Sequence, residues 1–322
     1  MDLKEFFRKD VSVIGFTIVD KITFVYIVFT SLLMAYYGPS MENFSTMAWT
    51  RVAFLGLIAL LYGLRRAYPY RALELLSTTV IMLGLIFWYQ EVYYFTSQLP
   101  YEDHWFAMID WELFGCQPSI EFSKNVTSAF WSEAFNCGYY SYYYMMLITI
   151  FFYGLCRYKE APKAEFVFLT SFFLFYAIYE FLPVAGPYYY FKAIGLDVAN
   201  SGNYPDLGHY FQTNHEMLHQ EIKGIFSQLV HNTQEYGELP AAAFPSSHCG
   251  MTVITMILAW KTRNPWLFWL MLPLAVLLCL ATVYIQAHYL IDTIGGVFFA
   301  FSFYFLTSWI YDKFIDKKSS KR

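Results

Sequence analysis

The sequence predicts an all-α fold, a polytopic transmembrane helical bundle of about eight spans. Three observations predict it. Of 322 residues, 57% are hydrophobic and only 14% charged, where a soluble domain carries about 25% charged residues. Apolar runs of near-spanning length recur along the chain. The basic residues also keep to alternate segments, as they do when positively charged short loops stay in the cytoplasm.

The predicted spans fall at 21–37, 48–64, 73–95, 139–157, 165–182, 247–262, 266–286 and 289–310. Residues 11–19 read as an interfacial helix leading into the first. Segments on the amino-terminal side hold Lys4, Arg8, Lys9 and Lys21; Arg65, Arg66 and Arg71; Arg157, Lys159 and Lys163; Lys261 and Arg263; and Lys313, Lys317, Lys318, Lys321 and Arg322. The opposite side holds only Arg51, Lys124, Lys192 and Lys223. Both termini are therefore expected in the cytoplasm. The charged start and the absence of a small-residue cleavage site after the first run argue against a cleavable signal peptide. The lack of long loops and tails favours a bacterial inner membrane, with the other face periplasmic, or lumenal in another setting. A net charge of −4 gives no basic surface for nucleic acid. Oligomeric state has no signature here.

Two long segments face the non-cytoplasmic side. Residues 96–138 mix acids (Glu102, Asp103, Asp110, Glu112, Glu121) with Trp105, Phe106, Trp111 and Phe114, the pattern of a helix lying at headgroup level. Residues 183–245 are too many for a simple connector. The five cysteines show no CxxC pair and no zinc spacing. A disulfide between Cys116 and Cys137, which share the first segment, stays open beside the reading of both as apolar packing residues.

The chemistry concentrates in two stretches, Pro245-Ser246-Ser247-His248 and, forty residues on, His288-Tyr289-Leu290-Ile291-Asp292. Two apolar runs joined by a short basic turn separate them. Crossing a membrane and returning brings both to one surface. Proline followed by small hydroxyl residues is a good helix start, and a helix amino terminus offers free N–H groups and a positive dipole end to an anion. Ser246 and Ser247 add hydroxyl donors. His288 and Asp292 are four apart and are expected on one helix face. A carboxylate beside a histidine fixes its tautomer and leaves the other ring nitrogen as nucleophile or base. The alternative is a polar pair that only joins two helices.

These residues resemble the second and third signature motifs of the type 2 phosphatidic acid phosphatase superfamily of membrane lipid phosphatases and phosphotransferases. Ser247 replaces the glycine of the second motif. In the third, Ala281 and Thr282 replace Ser-Arg, while His288 and Asp292 fit. Only Pro183-Val184-Ala185-Gly186-Pro187 stands for the first motif, with glycine in place of its arginine and no lysine before it. Such departures resemble the inositol phosphorylceramide synthase branch, which keeps FPSxH and an HYxxD preceded by Thr and Tyr, here Thr282 and Tyr284. The stretch from Asp110 to Pro118 resembles that branch's interfacial signature. The resemblance implies a six-helix catalytic core, residues 73–322, preceded by an extra unit, residues 1–72. It implies catalysis by His248, His288 and Asp292 with no metal or other cofactor. It also implies a phospholipid donor and a ceramide-like acceptor, the place of such enzymes in sphingolipid metabolism.

A phosphomonoester carries nearly two negative charges at neutral pH and a phosphodiester one, and the positions where phosphatases of this superfamily carry Lys and Arg hold neither here. A cation-poor site suits the diester. The expected activity is transfer of a phospho-headgroup, with phosphoinositol foremost, through a phosphohistidine on His288, with His248 as acid and then base. The alternatives are a lipid phosphatase acting on phosphatidic acid, a phosphoinositide or a polyprenyl diphosphate, and a transporter whose polar pairs are structural.

Ser246, Ser247, Gly186, Pro187, Tyr188, Tyr189, Glu180 and Tyr284 are the expected substrate contacts. Tyr188 and Tyr189, with Tyr190, read equally as headgroup platforms and as an interfacial belt. The run Tyr139 to Tyr144 reads as a belt, and Cys249 as packing. Glu180 and Glu91, in or beside spans, are functional candidates by default; binding of inositol hydroxyls and snorkelling both stay open. His215 and His219, with Glu216 between and His209 before, read as a metal site or as a polar loop helix.

Overall fold

The computed structural model describes residues 7–39 and 41–316, the side chain of Ser12 excepted. The expected cations Lys4, Lys317, Lys318, Lys321 and Arg322 lie outside the described residues. The structure is all-helical, as predicted. In chain order the helices are α1 (Ile18–Tyr37), α2 (Phe44–Ala67), α3 (Arg71–Leu83), α4 (Leu85–Thr96), α5 (Asp103–Phe114), α6 (Pro118–Asn125), α7 (Ala129–Tyr140), α8 (Tyr142–Cys156), α9 (Ala161–Tyr179), α10 (Pro187–Ile194), α11 (Leu196–Ala199), α12 (Ile225–Gly237), α13 (Ser247–Lys261), α14 (Pro265–Tyr284) and α15 (Leu290–Ile310).

Among the described residues, six helices are long and apolar enough to cross a membrane: α1, α2, α3 with α4, α9, α14, and α15 with its continuation to Asp316. The protein is thus an integral, multi-pass membrane protein. The spans expected at 139–157 and 247–262 form the helices α8 and α13, of 15 residues each. At 1.5 Å per residue each covers roughly 22 Å of a hydrocarbon core about 30 Å thick. Only Ser141 separates α8 from α7, so the helical run begins ten residues before its predicted start. Residues 11–19 do not form one helix leading into the span. A 3-10 turn covers Val11–Val13, and Thr17 then caps α1, accepting from the Asp20 amide at 3.1 Å while Asp20 accepts from the Thr17 amide at 2.8 Å. This capping box fixes the start of the span.

The chain divides into two compact units, Met1–Tyr94 with Ile150–Phe173 and Leu306–Arg322, and Phe95–Thr149 with Leu174–Phe305. In the first, two ion pairs are buried. Arg51 grips Glu91 through two bonds of 2.6 and 2.8 Å and also donates to the Ser31 hydroxyl. Arg65 lies 2.5 Å from Asp20. Glu91, a candidate for headgroup binding, is therefore the buried counter-ion of Arg51. Removing one partner strands a buried charge, which costs about 3–5 kcal/mol. Glu91→Ala is expected to lower the thermal midpoint in detergent sharply, and Arg51→Met in the same chain to recover part of the loss.

In the second unit the segment expected at headgroup level becomes α5, α6 and α7, and residues 183–245 hold α10, α11, α12 and a 3-10 turn at Tyr210–Gln212. Asn264 caps α14 by accepting from the amides of Trp266 and Leu267, and Pro265 takes the first helical position. The α13–α14 hairpin thus has a defined turn at one end, and at the other both histidine stretches.

Candidate active site

The start of α13 is built from four backbone amides. Ser246 is the cap, its hydroxyl accepting from the Cys249 amide at 3.3 Å. The Ser246 amide donates to the Asp292 carbonyl at 2.9 Å. The Ser247 amide donates to the Tyr179 hydroxyl at 2.9 Å, and that hydroxyl donates to the Pro245 carbonyl at 2.7 Å. Three of the amides expected to hold an anion are therefore occupied from within. The His248 amide is the one that makes no hydrogen bond among the described residues. The backbone of Ser246 also presses on α15, where a side chain at Gly296 would strike the Ser246 carbonyl.

His288 stands before α15 and not on it, in the turn from Ile285 that reverses the chain through Gln286 at φ 61°. Its Nδ1 lies 2.8 Å from the Ala243 carbonyl. A carbonyl only accepts, so Nδ1 carries the proton and Nε2 keeps its lone pair. The expectation that Asp292 orients the ring is corrected here. Asp292 Oδ2 is 3.7 Å from Nδ1 and accepts instead from the Tyr289 amide at 2.8 Å. The four-residue spacing spans the helix start, where a carboxylate serves the backbone first. Asp292 thus holds the turn and places negative charge beside the ring. His288 is 4% exposed, and burial holds its pKa below the ordinary histidine value.

The two imidazoles meet, with ring centroids 5.7 Å apart. His248, half-buried, lies between Tyr139, stacked at 4.8 Å, and Tyr142 at 4.6 Å. The run Tyr139 to Tyr144, expected to be a belt, therefore divides. Tyr139 and Tyr142, three apart on one face, hold the histidine, while Tyr143 and Tyr144 are more than half exposed. Spacing was the signal that separated them.

The turn in place of the first motif is tied to the same centre. The Ala243 amide donates to the Val184 carbonyl and the Tyr188 amide to the Gln286 carbonyl, each at 2.9 Å. Gly186 has φ 101°, and a Cβ there would lie 2.7 Å from the Ala287 carbonyl. Glycine at this position lets the turn touch the His288 turn, a role that excludes an arginine.

Two residues not singled out as site residues complete the frame. Asp103, fully buried, accepts from the Ala185 and Gly186 amides at 2.8 Å each and from the Tyr289 hydroxyl at 3.1 Å. Asp110 accepts from the Leu290 and Ile291 amides at 2.8 and 2.9 Å, closing the amino terminus of α15. Burial pushes Asp103 up to about 7 and Asp110 up to about 6, against the opposing pull of those amides. The signal lay in the sequence as two acids seven apart, one face of a helix two turns long.

Several expected contacts are engaged with partners inside the protein. Tyr188, Tyr189 and Tyr284 are buried. Tyr188 donates to Glu238, Tyr189 to the Glu238 carbonyl, and Tyr284 to the Val126 carbonyl at 3.1 Å. None presents a free ring face as a headgroup platform. Pro187 is buried at the start of α10, and Glu180 is buried just beyond α9. Cys116 and Cys137 are free thiols, and Cys249 is packed with its sulfur 3.5 Å from the Thr282 hydroxyl. His219 stacks edge-on with His231, and His209 bonds to Gln212. Among the described residues no three His, Cys, Asp or Glu side chains are grouped to hold a metal ion.

No curated protein and no solved structure matches this chain. A family model for the PAP2 superfamily does, over residues 106–306. That stretch is well over half the chain and contains Gly186, Glu238, Ala243, the start of α13 and the turn before α15. Two histidine stretches joined at one surface by a helical hairpin, and a family match that spans them both, place the chain in the PAP2 superfamily.

Proposed function

We propose that this protein is a lipid phosphotransferase of the inositol phosphorylceramide synthase kind. It moves a phospho-headgroup, phosphoinositol foremost, from a glycerophospholipid to a ceramide-like acceptor. Superfamily membership supports phosphoryl transfer on lipids in general. The observation that carries the finer reading is a histidine pair walled by carboxylates and phenols. Lys124, Lys192 and Lys223, the lysines expected on this face, stand beside Glu121, Glu216 and Glu221. Such a site suits one negative charge better than two.

In this reading Nε2 of His288 attacks the donor phosphorus. The bond to the diacylglycerol oxygen breaks, and that oxygen takes a proton from His248. The headgroup phosphate is now on His288. The acceptor hydroxyl gives its proton to His248 and attacks phosphorus, and His288 leaves with its lone pair. The His248 amide, with Ser246 and Ser247, supports the phosphate oxygens. The segment from α5 to α7 serves as the cover that keeps water out. Residues 73–322 form the catalytic core, and residues 1–72 are an addition to it.

The test is a headgroup-labelled phosphatidylinositol incubated with the purified protein in detergent, with and without ceramide. The expected result is a labelled sphingolipid that appears only with ceramide. Water-soluble headgroup phosphate, or free phosphate from phosphatidic acid, as the main product in the presence of ceramide would establish the phosphatase reading instead.

A further inference from the structure

One carboxylate in the site has no part in the mechanism above. Glu238 follows α12 and is half-buried. Its Oε1 accepts from the Tyr139 hydroxyl at 2.8 Å, its Oε2 from the Tyr188 hydroxyl, and its backbone carbonyl from the Tyr189 hydroxyl at 3.2 Å. Tyr139 is the ring stacked on His248, with 23° between the planes. Two phenols from two helices therefore fix the carboxylate, and a third holds its backbone carbonyl, one aromatic ring away from the catalytic pair. A carboxylate still has lone pairs left for a further donor. The lysines of this face do not offset it, since each has an acid of its own.

We propose that Glu238 sets the charge of the phosphate that the site accepts, favouring a monoanionic phosphodiester over a dianionic phosphomonoester. The assignment rests on the phosphotransferase reading and names the device behind it. A second negative charge on the phosphate meets repulsion that a single charge meets only once. Across a site of ordinary size, with an effective dielectric of about 20 and ionic screening, one unit of charge changes binding by the order of tenfold. The groups that face Glu238 are Tyr139 from α7, Tyr143 from α8, Tyr188 and Tyr189 from α10, and His288. A pH effect on selectivity follows the second ionisation of the monoester, near pH 6, with His288 common to both substrates.

The experiment compares phosphatidic acid and phosphatidylinositol, with matched acyl chains, on wild-type protein and on Glu238→Gln in detergent. The ratio of kcat/KM for monoester over diester is expected to rise about tenfold at pH 8 in the variant. At pH 5.5, where the monoester is a monoanion, the rise shrinks to less than about threefold. Tyr139→Phe, which keeps the ring on His248 and removes one bond to Glu238, is expected to lower both rates and leave the ratio near wild type. A folded Glu238→Gln with an unchanged ratio would overturn the assignment, as would a Tyr139→Phe that shifts the ratio equally. Should Glu238→Gln not fold, methyl phosphate and dimethyl phosphate as competitors of the wild type decide the matter. Dimethyl phosphate is expected to compete the better at pH 8, with the gap closing at pH 5.5, and the reverse order overturns the proposal. Wild-type protein that consumes phosphatidic acid and leaves phosphatidylinositol intact would instead overturn the phosphotransferase reading itself.

Discussion

Replacing His288 by alanine lowers headgroup release by at least about 10^4-fold, the scale on which loss of a nucleophile acts. The expectation rests on geometry that alanine removes without unfolding the turn. The ring's Nδ1 is bound to the Ala243 carbonyl, and its centroid lies 5.7 Å from that of His248. The turn keeps the His288 amide bond to the Thr282 carbonyl and the Asp292 cap on Tyr289. His248→Ala is expected to be milder, about 10^2 to 10^4-fold, because it removes proton transfer and leaves the nucleophile. Rates measured on labelled phosphatidylinositol, beside thermal midpoints showing both variants folded, check the two. Asp292→Asn separates orientation from charge. If the Ala243 carbonyl fixes the tautomer, that variant keeps far more activity than His288→Ala.

The second large effect is on stability. Asp103→Ala leaves the Ala185 and Gly186 amides and the Tyr289 hydroxyl without their acceptor in a fully buried place. Each stranded group costs about 1–3 kcal/mol, so three of them cost about 3–9 kcal/mol, and the folded protein recovered from membranes falls accordingly. Asp103→Asn, which keeps an acceptor oxygen, is expected to lose less. The same residue gives a pH dependence. Its carboxyl rises from 3.8 in the open chain to about 7 in the fold, and Asp110 shifts in the same sense to about 6. A raised carboxyl binds its proton more tightly in the folded state. Its contribution is therefore complete below about pH 4 and is lost as pH climbs through about 7. The thermal midpoint should fall from pH 5 to pH 8, and the fall should be shallower in Asp103→Asn. A midpoint that rises over that window contradicts the assignment.

How far the sequence revealed this arrangement depends on the kind of signal. Spans rest on composition, which carries over long windows. The eight expected positions became helices, although α8 and α13 are too short to count by length alone. The two histidines were legible because short motifs carry them and because a hairpin returns the chain to one surface. Orientation was not. His288 and Asp292 four apart suggested a helix face, yet the chain turns at Gln286 and the helix starts after the histidine. The group that orients the ring is a backbone carbonyl, and no residue type announces that. Asp103, Asp110 and Glu238 sit in the two long segments, where no periodic pattern pairs an acid with its partners. The phenols of Tyr188 and Tyr189 looked like headgroup contacts because a tyrosine run resembles a platform. In the structure they are bound to Glu238, a residue fifty positions away that the sequence alone gave no reason to link with them.

The central claim is that His288 carries the phosphate between donor and acceptor. The most direct measurement mixes wild-type protein with phosphatidylinositol labelled in the headgroup, without acceptor, and quenches at alkaline pH within one turnover. Peptides are then mapped by mass spectrometry. A headgroup-phosphate adduct on His288, absent from His288→Ala and discharged by added ceramide, is the predicted result. An adduct on any other residue, or labelled sphingolipid formed at full rate by His288→Ala, would contradict it.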